Sequence, residues 1–253
     1  MALKGHVVTP EHREKISEAL LGRKKTKQTR EFMSYSSQFR KRHADGRFDY
    51  GKFKIVAVIT SRWKSTRLPQ KALADINGKP MLQHIVDRCR MAKFIDDVIV
   101  ATTRNSKPII EYCLNNGINF YPGDEDDILG RLYWSAKNCD ASLVVRVWGD
   151  APFISPAAID LVILEAKGNK ADYYFSKNGM TGECIAVIPF NALEKMNTTV
   201  ANLTDRLWFH SYMLKNGNQR VIRNNTSNIG VKLVVDTPED LERVREFASQ
   251  GND

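Results

Sequence analysis

Three short apolar runs constrain this chain most: KIVAVIT at 54–60, DVIVATT at 97–103 and SLVVRV at 142–147. Each is continuous and rich in β-branched residues, without the polar alternation of a strand that faces water on one side. That texture belongs to strands buried on both faces, as in parallel sheets covered by helices. Helical patterns at about 80–92, 107–116 and 125–138 separate the runs. Alternation of this kind predicts βαβ units and a parallel sheet. Further on, the pattern predicts a strand near 183–188, a helix near 204–215, a strand at 231–235 and a last helix over 237–248. The start of that helix is well marked. Thr237 is the N-cap, Pro238 takes the first helical position, and Glu239 and Asp240 put negative charge in the first turn.

The fold class expected is therefore α/β, with a Rossmann-like, mixed but mostly parallel sheet. At 253 residues the chain suffices for one such domain and an appendage. The formal charge of +9 divides unevenly. Residues 1–54 hold fourteen Lys and Arg against six Asp and Glu, a net of +8, which leaves +1 for the rest. Two functional pieces are expected, and the basic one suits phosphate backbones or other anionic surfaces. No apolar run reaches the roughly 18 residues of a membrane span, and the N-terminus lacks the apolar stretch of a secretory signal. Cys89, Cys113, Cys139 and Cys184 are widely spaced, with no CxxC pair, and read as reduced thiols of a cytoplasmic protein.

In open α/β sheets ligands gather beyond the C-terminal ends of the strands. After the first run comes Ser61-Arg62-Trp63-Lys64-Ser65-Thr66-Arg67-Leu68-Pro69-Gln70-Lys71, with four cations and two further hydroxyls after Ser61. Such a loop can meet phosphate oxygens with backbone N–H groups and with Arg and Lys side chains. Trp148-Gly149-Asp150-Ala151-Pro152 follows the third run, and Asp236 ends the run at 231–235. Two strand-end carboxylates beside a cationic loop suit a hard divalent cation bridging protein and phosphates. His84 and His210 read as packing residues, with pocket lining also open to His210; the acids 124–127 read as a helix opening.

These segments carry a resemblance. STRLPxK within 61–73, NGKPML at 77–82, DDVIVATT at 96–103, VVRVWGDAPFISP at 144–156 and VVDTPEDLERVR at 234–245 occur in order. Together they resemble the cytidylyltransferase family of spore-coat polysaccharide biosynthesis. They are similar, more distantly, to the cytidylyltransferases that activate 3-deoxy-manno-octulosonate and acylneuraminate. The resemblance covers roughly residues 54–250 and implies a glycosyltransferase-A-like nucleotidyltransferase domain over 54–253. It implies a Mg²⁺-dependent enzyme that transfers CMP from CTP to a sugar or sugar acid and releases pyrophosphate. Ser61, Arg62, Lys64, Ser65, Thr66, Arg67, Lys71 and Gly149 would bind the nucleotide, with Arg67 and Lys71 catalytic. Asp150 and Asp236 would hold the metal, and Glu183 and Arg206 would face the acceptor. Three positions depart from the pattern: Lys64 and Gln70 stand where glycine is usual, and Trp148 where a small hydroxylated residue is common. The span between about 171 and 231, which shapes the acceptor pocket, is also short.

Residues 1–30 are similar to the short DNA-binding motif found beside homing-endonuclease domains. A helix at 9–22 followed by cations would place Arg13, Arg23, Lys24, Lys25 and Lys27 against DNA, with 31–53 as a linker. The partners expected are thus CTP, the acceptor, DNA through residues 1–30 and a second copy of the chain, and no membrane. A DNA-binding protein with an inactive nucleotide-binding domain is the other class left open.

Overall fold

The computed structural model describes residues 53–166, 170–177, 183–223 and 231–250. The basic segment 1–52, with the expected DNA contacts, lies outside them. The first apolar run forms β1 (Ile55–Thr60) and leads through the cationic loop to a 3-10 turn at Lys71–Leu73. A hairpin follows, β2 (Asp75–Ile76) and β3 (Lys79–Pro80). Its turn residues Asn77 and Gly78 both have positive φ, which is what a two-residue hairpin of the right twist requires. Then come α1 (Met81–Met91), β4 (Asp97–Thr103), α2 (Lys107–Asn115), β5 (Asn119–Gly123), α3 (Ile128–Asn138) and β6 (Leu143–Trp148). The second half contains α4 (Pro156–Ala166), β7 (Tyr173–Lys177), β8 (Cys184–Pro189), α5 (Phe190–Thr199), α6 (Leu203–Leu207), α7 (Phe209–Asn216), β9 (Gln219–Arg223) and α8 (Pro238–Ser249).

Seven strands make one sheet in the order β5-β4-β1-β6-β8-β7-β9. β1 pairs in parallel with β4 and β6, and β4 with β5. β8 is antiparallel to both neighbours, β6 and β7, while β9 runs parallel to β7. One strand is therefore reversed in a sheet otherwise directed one way. The start of β8 consequently lies at the same edge as the ends of β1, β4 and β6. That edge is where functional groups collect.

Alternate residues of the central strands serve two cores. Ile55, Ala57 and Ile59 face one layer, with Leu82, Ile85 and Val86 of α1 and Ile159, Val162 and Ile163 of α4. Val56 and Val58 face the other, with Leu129 and Leu132 of α3, Leu193 of α5 and Phe209 of α7. Burial on both faces is the reason these runs are continuously apolar. Cys89, Cys113 and Cys139 are buried free thiols, and Cys184 is half-buried. Burial pushes the Cys89 thiol up to about 12, which leaves it inert.

Two expectations change. The run at 231–235 is extended but is not a strand. Its exposed polar groups are met elsewhere: Val235 N–H donates to Asp150 O at 2.8 Å, Val235 O accepts from Lys71 Nζ and Lys232 O from Arg243 Nε. Leu233 and Val235 fill a third core with Ile76, Phe153, Leu241 and Val244, which explains their apolar character. The helix expected near 204–215 is two helices, broken at Trp208, whose φ of −96° and ψ of 35° depart from helical values.

Candidate active site

At the shared edge, Gly149 lets the exit of β6 press against the exit of β1. Its N–H donates to Thr60 O at 3.0 Å, and a Cβ there would lie 2.6 Å from that same oxygen. Only glycine permits that approach. It sets Asp150 beside the cationic loop, and the backbone bond from Val235 to Asp150 brings Asp236 to the same place.

The loop itself is pinned. Trp63 N–H donates to Ser106 Oγ at 2.9 Å, and the buried Ser106 shares a 2.7 Å hydrogen bond with Thr103 Oγ1. Gln70 N–H returns to Trp63 O at 3.3 Å and closes the loop. Gln70 has φ 63°, ψ 13°, the left-handed conformation. A glycine requirement is thus real at this position and met here by a residue that strains to meet it. Lys64 is not among the described residues with positive φ. The lysine there needs no such allowance.

Lys71 is the hub. Its Nζ donates to Val235 O at 2.9 Å, lies 3.3 Å from Asp236 Oδ1 and 3.8 Å from Asp150 Oδ2. Arg67 adds a second cation on Asp236 Oδ1 at 2.9 Å. Asp236 stands 165 residues beyond Lys71 in the chain. Burial raises the Asp150 carboxyl above its usual range; Lys71 opposes this and Asp236 adds to it. Two carboxylates converging on one ammonium form a site where a further cation would relieve their repulsion.

The capping box of α8 steadies this arrangement. Asp240 Oδ2 accepts from Asp236 N–H at 2.9 Å and from Thr237 N–H at 3.1 Å, and its carboxylate also pairs with Lys232 and Arg243. Burial would raise the Asp240 carboxyl, but the bonds from Arg243, Asp236 N–H and Lys232 outweigh it and hold it well below the carboxylate range. The spacing from Thr237 to Asp240 announced the cap but not its hold on Asp236.

The remaining candidates divide. Ser61 is buried at the end of β1, with its N–H on Ala101 O; Arg62 is half exposed, 3.7 Å from Glu125. Lys64 and Thr66 are exposed and Ser65 half-buried on the same loop. Glu183 is buried immediately before β8, at the functional edge. Arg206 is differently employed. Its five donors go to Asp127 Oδ1 and Oδ2, Asn197 O, Asn197 Oδ1 and Val200 O, all within 2.8–3.0 Å. Asp127 is the N-cap of α3, so Arg206 ties α6 to that helix start rather than standing free for an acceptor. His84 Nε2 lies 3.0 Å from Ile76 O in the core, a packing role. Ser106, Glu125 and Arg146 complete the surroundings, and none of them was given a role at the site from the sequence.

A family model described as cytidylyltransferase matches residues 56–252. The spore coat polysaccharide biosynthesis protein SpsF of Bacillus subtilis is 27% identical over 211 residues, 76% of this chain and 85% of that protein. The 3-deoxy-manno-octulosonate cytidylyltransferase of Geobacter sulfurreducens is 38% identical over 117 residues, but the chain spans only about half of it, 47%, and 46% of this chain is involved. Among solved structures, a cytidylyltransferase of Leptospira borgpetersenii is similar with a TM-score of 0.70 and 25% identity, over 78% of this chain and 87% of that one.

Proposed function

This chain belongs to the cytidylyltransferase family, and from that premise we propose that it transfers CMP from CTP to a sugar or sugar acid with release of pyrophosphate. The observation that carries this reading is the meeting of Lys71 with Asp150 and Asp236 beneath the cationic loop.

The loop after β1 would cradle the triphosphate. Arg62 and Arg67 are exposed enough to swing onto phosphate oxygens, and charge-assisted bonds to phosphate are stronger than their present exposed pairs. Lys71 is less free. Anchored by Val235 O, it would lie at the phosphate nearest the carboxylates and offset negative charge as it builds on the pentacovalent phosphorus. Gly149, by letting the exits of β1 and β6 meet, would keep the phosphate-binding loop beside Asp150. Asp150 and Asp236 fit a Mg²⁺ ion: both offer hard oxygen donors, and a pair of carboxylates is the usual protein share when phosphates and water supply the rest. Such an ion would draw charge from the phosphates and orient them for in-line displacement. Asp240 keeps Asp236 aimed through its backbone bonds. Glu183, at the same edge, would meet the acceptor hydroxyls. Little covalent work falls to the protein; positioning and electrostatics supply the rate.

Pyrophosphate release from CTP, with a panel of sugars and sugar acids and with MgCl₂ or EDTA, tests this reading. Release that needs CTP, acceptor and Mg²⁺ together is expected. Release that persists in EDTA, or that Lys71→Ala leaves intact, would remove the basis for the site.

A further inference from the structure

Beside Asp150, on the face of the sheet covered by α7, the fold buries a cation it does not fully match. Arg146 lies on β6 two residues before Trp148 and is 4% exposed. Its guanidinium carbon stands 4.1 Å from the centre of the Trp148 indole. Its Nε and one terminal nitrogen have no hydrogen-bond partner among the described residues. Buried polar donors left unmet are costly and rare, and each calls for a cause.

The surroundings narrow that cause. Across the sheet Arg146 faces Ala186 of β8, and Ala186 faces Phe175 of β7. A methyl group therefore separates the guanidinium from the Phe175 ring. His210 of α7 closes the space from above, with ring centres 4.3 Å from Phe175, 5.5 Å from Trp148 and 5.9 Å from Tyr173. The Tyr173 hydroxyl lies 2.8 Å from His210 Nδ1 and is also hydrogen-bonded with Arg146. Arginine can only donate, so the phenol oxygen accepts from Arg146 while sharing a second hydrogen bond with His210 Nδ1. Burial, Arg146 and Lys177 push the His210 pKa down to about 4, which keeps the imidazole neutral. The spot thus presents the unmet donors of Arg146 and is framed otherwise by rings and a methyl group.

We propose that Arg146, framed by the rings of His210 and Trp148, is the residue that recognises an anionic group on the acceptor, a carboxylate or a phosphate. This rests on the reading that the acceptor reacts beside Asp150. Trp148 is the link between the two: its ring covers Arg146, and its chain neighbours Gly149 and Asp150 form the metal-side edge. A neutral sugar would leave the buried charge unanswered, whereas an anion would answer it.

The test is side-chain NMR of the arginine Nε–H groups in the intact, metal-free protein, with Arg146 assigned by its disappearance in Arg146→Lys. Formate, inorganic phosphate and the neutral formamide are the probes. A saturable shift of the Arg146 resonance with formate marks a carboxylate site, and one with phosphate a phosphate site; either is the expected result, with no response to formamide. In Arg146→Met the affinity for the responding anion, read from the His210 ring resonances, should fall roughly 30-fold or more. An Arg146 resonance unmoved by both anions, or moved equally by formamide, overturns the proposal, and this reading, assigned through the charge-preserving Arg146→Lys, does not depend on Arg146→Met folding. A parallel CTP titration separates the two claims. CTP binding with a silent Arg146 sinks the anion site alone, and anion binding without CTP binding sinks the nucleotidyl-transfer reading.

Discussion

Replacing Lys71 by Met removes the one ammonium placed between Asp150 and Asp236. At 3.3 and 3.8 Å, the attractions are about 5 and about 4 kcal/mol at an effective dielectric of ~20, before desolvation is charged against them. The three side chains are about four-fifths buried, so screening by solvent is incomplete. Desolvation takes back much of the gain, yet removing one partner leaves two carboxylates facing each other, and a net loss of about 2–4 kcal/mol is expected. For a domain of this size that is roughly 5–12 °C in Tm. The loss should depend on pH with a definite sign. Burial already raises the Asp150 carboxyl, with Lys71 opposing it, so the Lys71→Met variant holds that proton to still higher pH. Near pH 4 the variant and wild type should lie close together, and the gap should widen as pH rises and the carboxyl is forced to ionise. Millimolar MgCl₂ should restore more stability to the variant than to wild type, because a divalent cation replaces the lost charge. Urea denaturation at pH 4.5 and 7.5, with MgCl₂ or EDTA, measures all of this. A variant within 0.5 kcal/mol of wild type at pH 7.5, with the same response to MgCl₂, would refute the electrostatic account of the hub.

Three further outcomes follow from the same geometry. Asp150→Asn should leave stability at pH 7.5 unchanged or up to about 1 kcal/mol higher: the wild-type carboxyl, raised by burial, costs the fold stability as pH climbs above 3.8, while pyrophosphate release should fall at least roughly 100-fold. Asp240→Ala should cost about 2–4 kcal/mol at neutral pH by chemical denaturation, because its lowered carboxyl pKa contributes stability above the unfolded value that is lost as pH falls; the variant should also bind Mg²⁺ more weakly through a loosened Asp236. Gln70→Gly should raise stability by about 0.5–1 kcal/mol in urea melts, since φ 63° strains a residue with a Cβ.

Legibility in the sequence followed burial. β1, β4 and β6 were readable because both faces of each are covered, which makes the run itself apolar. β5, β7 and β9 were not, for NFYPG, YYFSK and QRVIR are five-residue strands with no comparable run. Helix α4 escaped for the opposite reason: PAAIDLVILEA is so evenly apolar that no face stands out. The segment 231–235 misled because its valines serve a small core while side chains, not a ladder, meet its carbonyls. At the site, the rule of strand ends pointed to the loop and Asp150, whereas Asp236 was singled out as the end of a strand that the structure does not form. What no spacing encodes is who pairs with whom. Lys71 meets Asp236 across 165 residues of chain. Arg206 was expected to face the acceptor, but Asp127 and Asn197 take donors of its guanidinium. Arg146 passed unremarked inside an apolar run, although its burial is what makes it informative.

The most direct test of nucleotide recognition is calorimetric titration of the full chain with CTP, ATP, GTP and UTP, each with and without Mg²⁺. Selective CTP binding that needs Mg²⁺ and weakens in Asp150→Asn is the predicted result. Equal binding of all four nucleotides, or CTP binding indifferent to both the metal and Asp150, would contradict it.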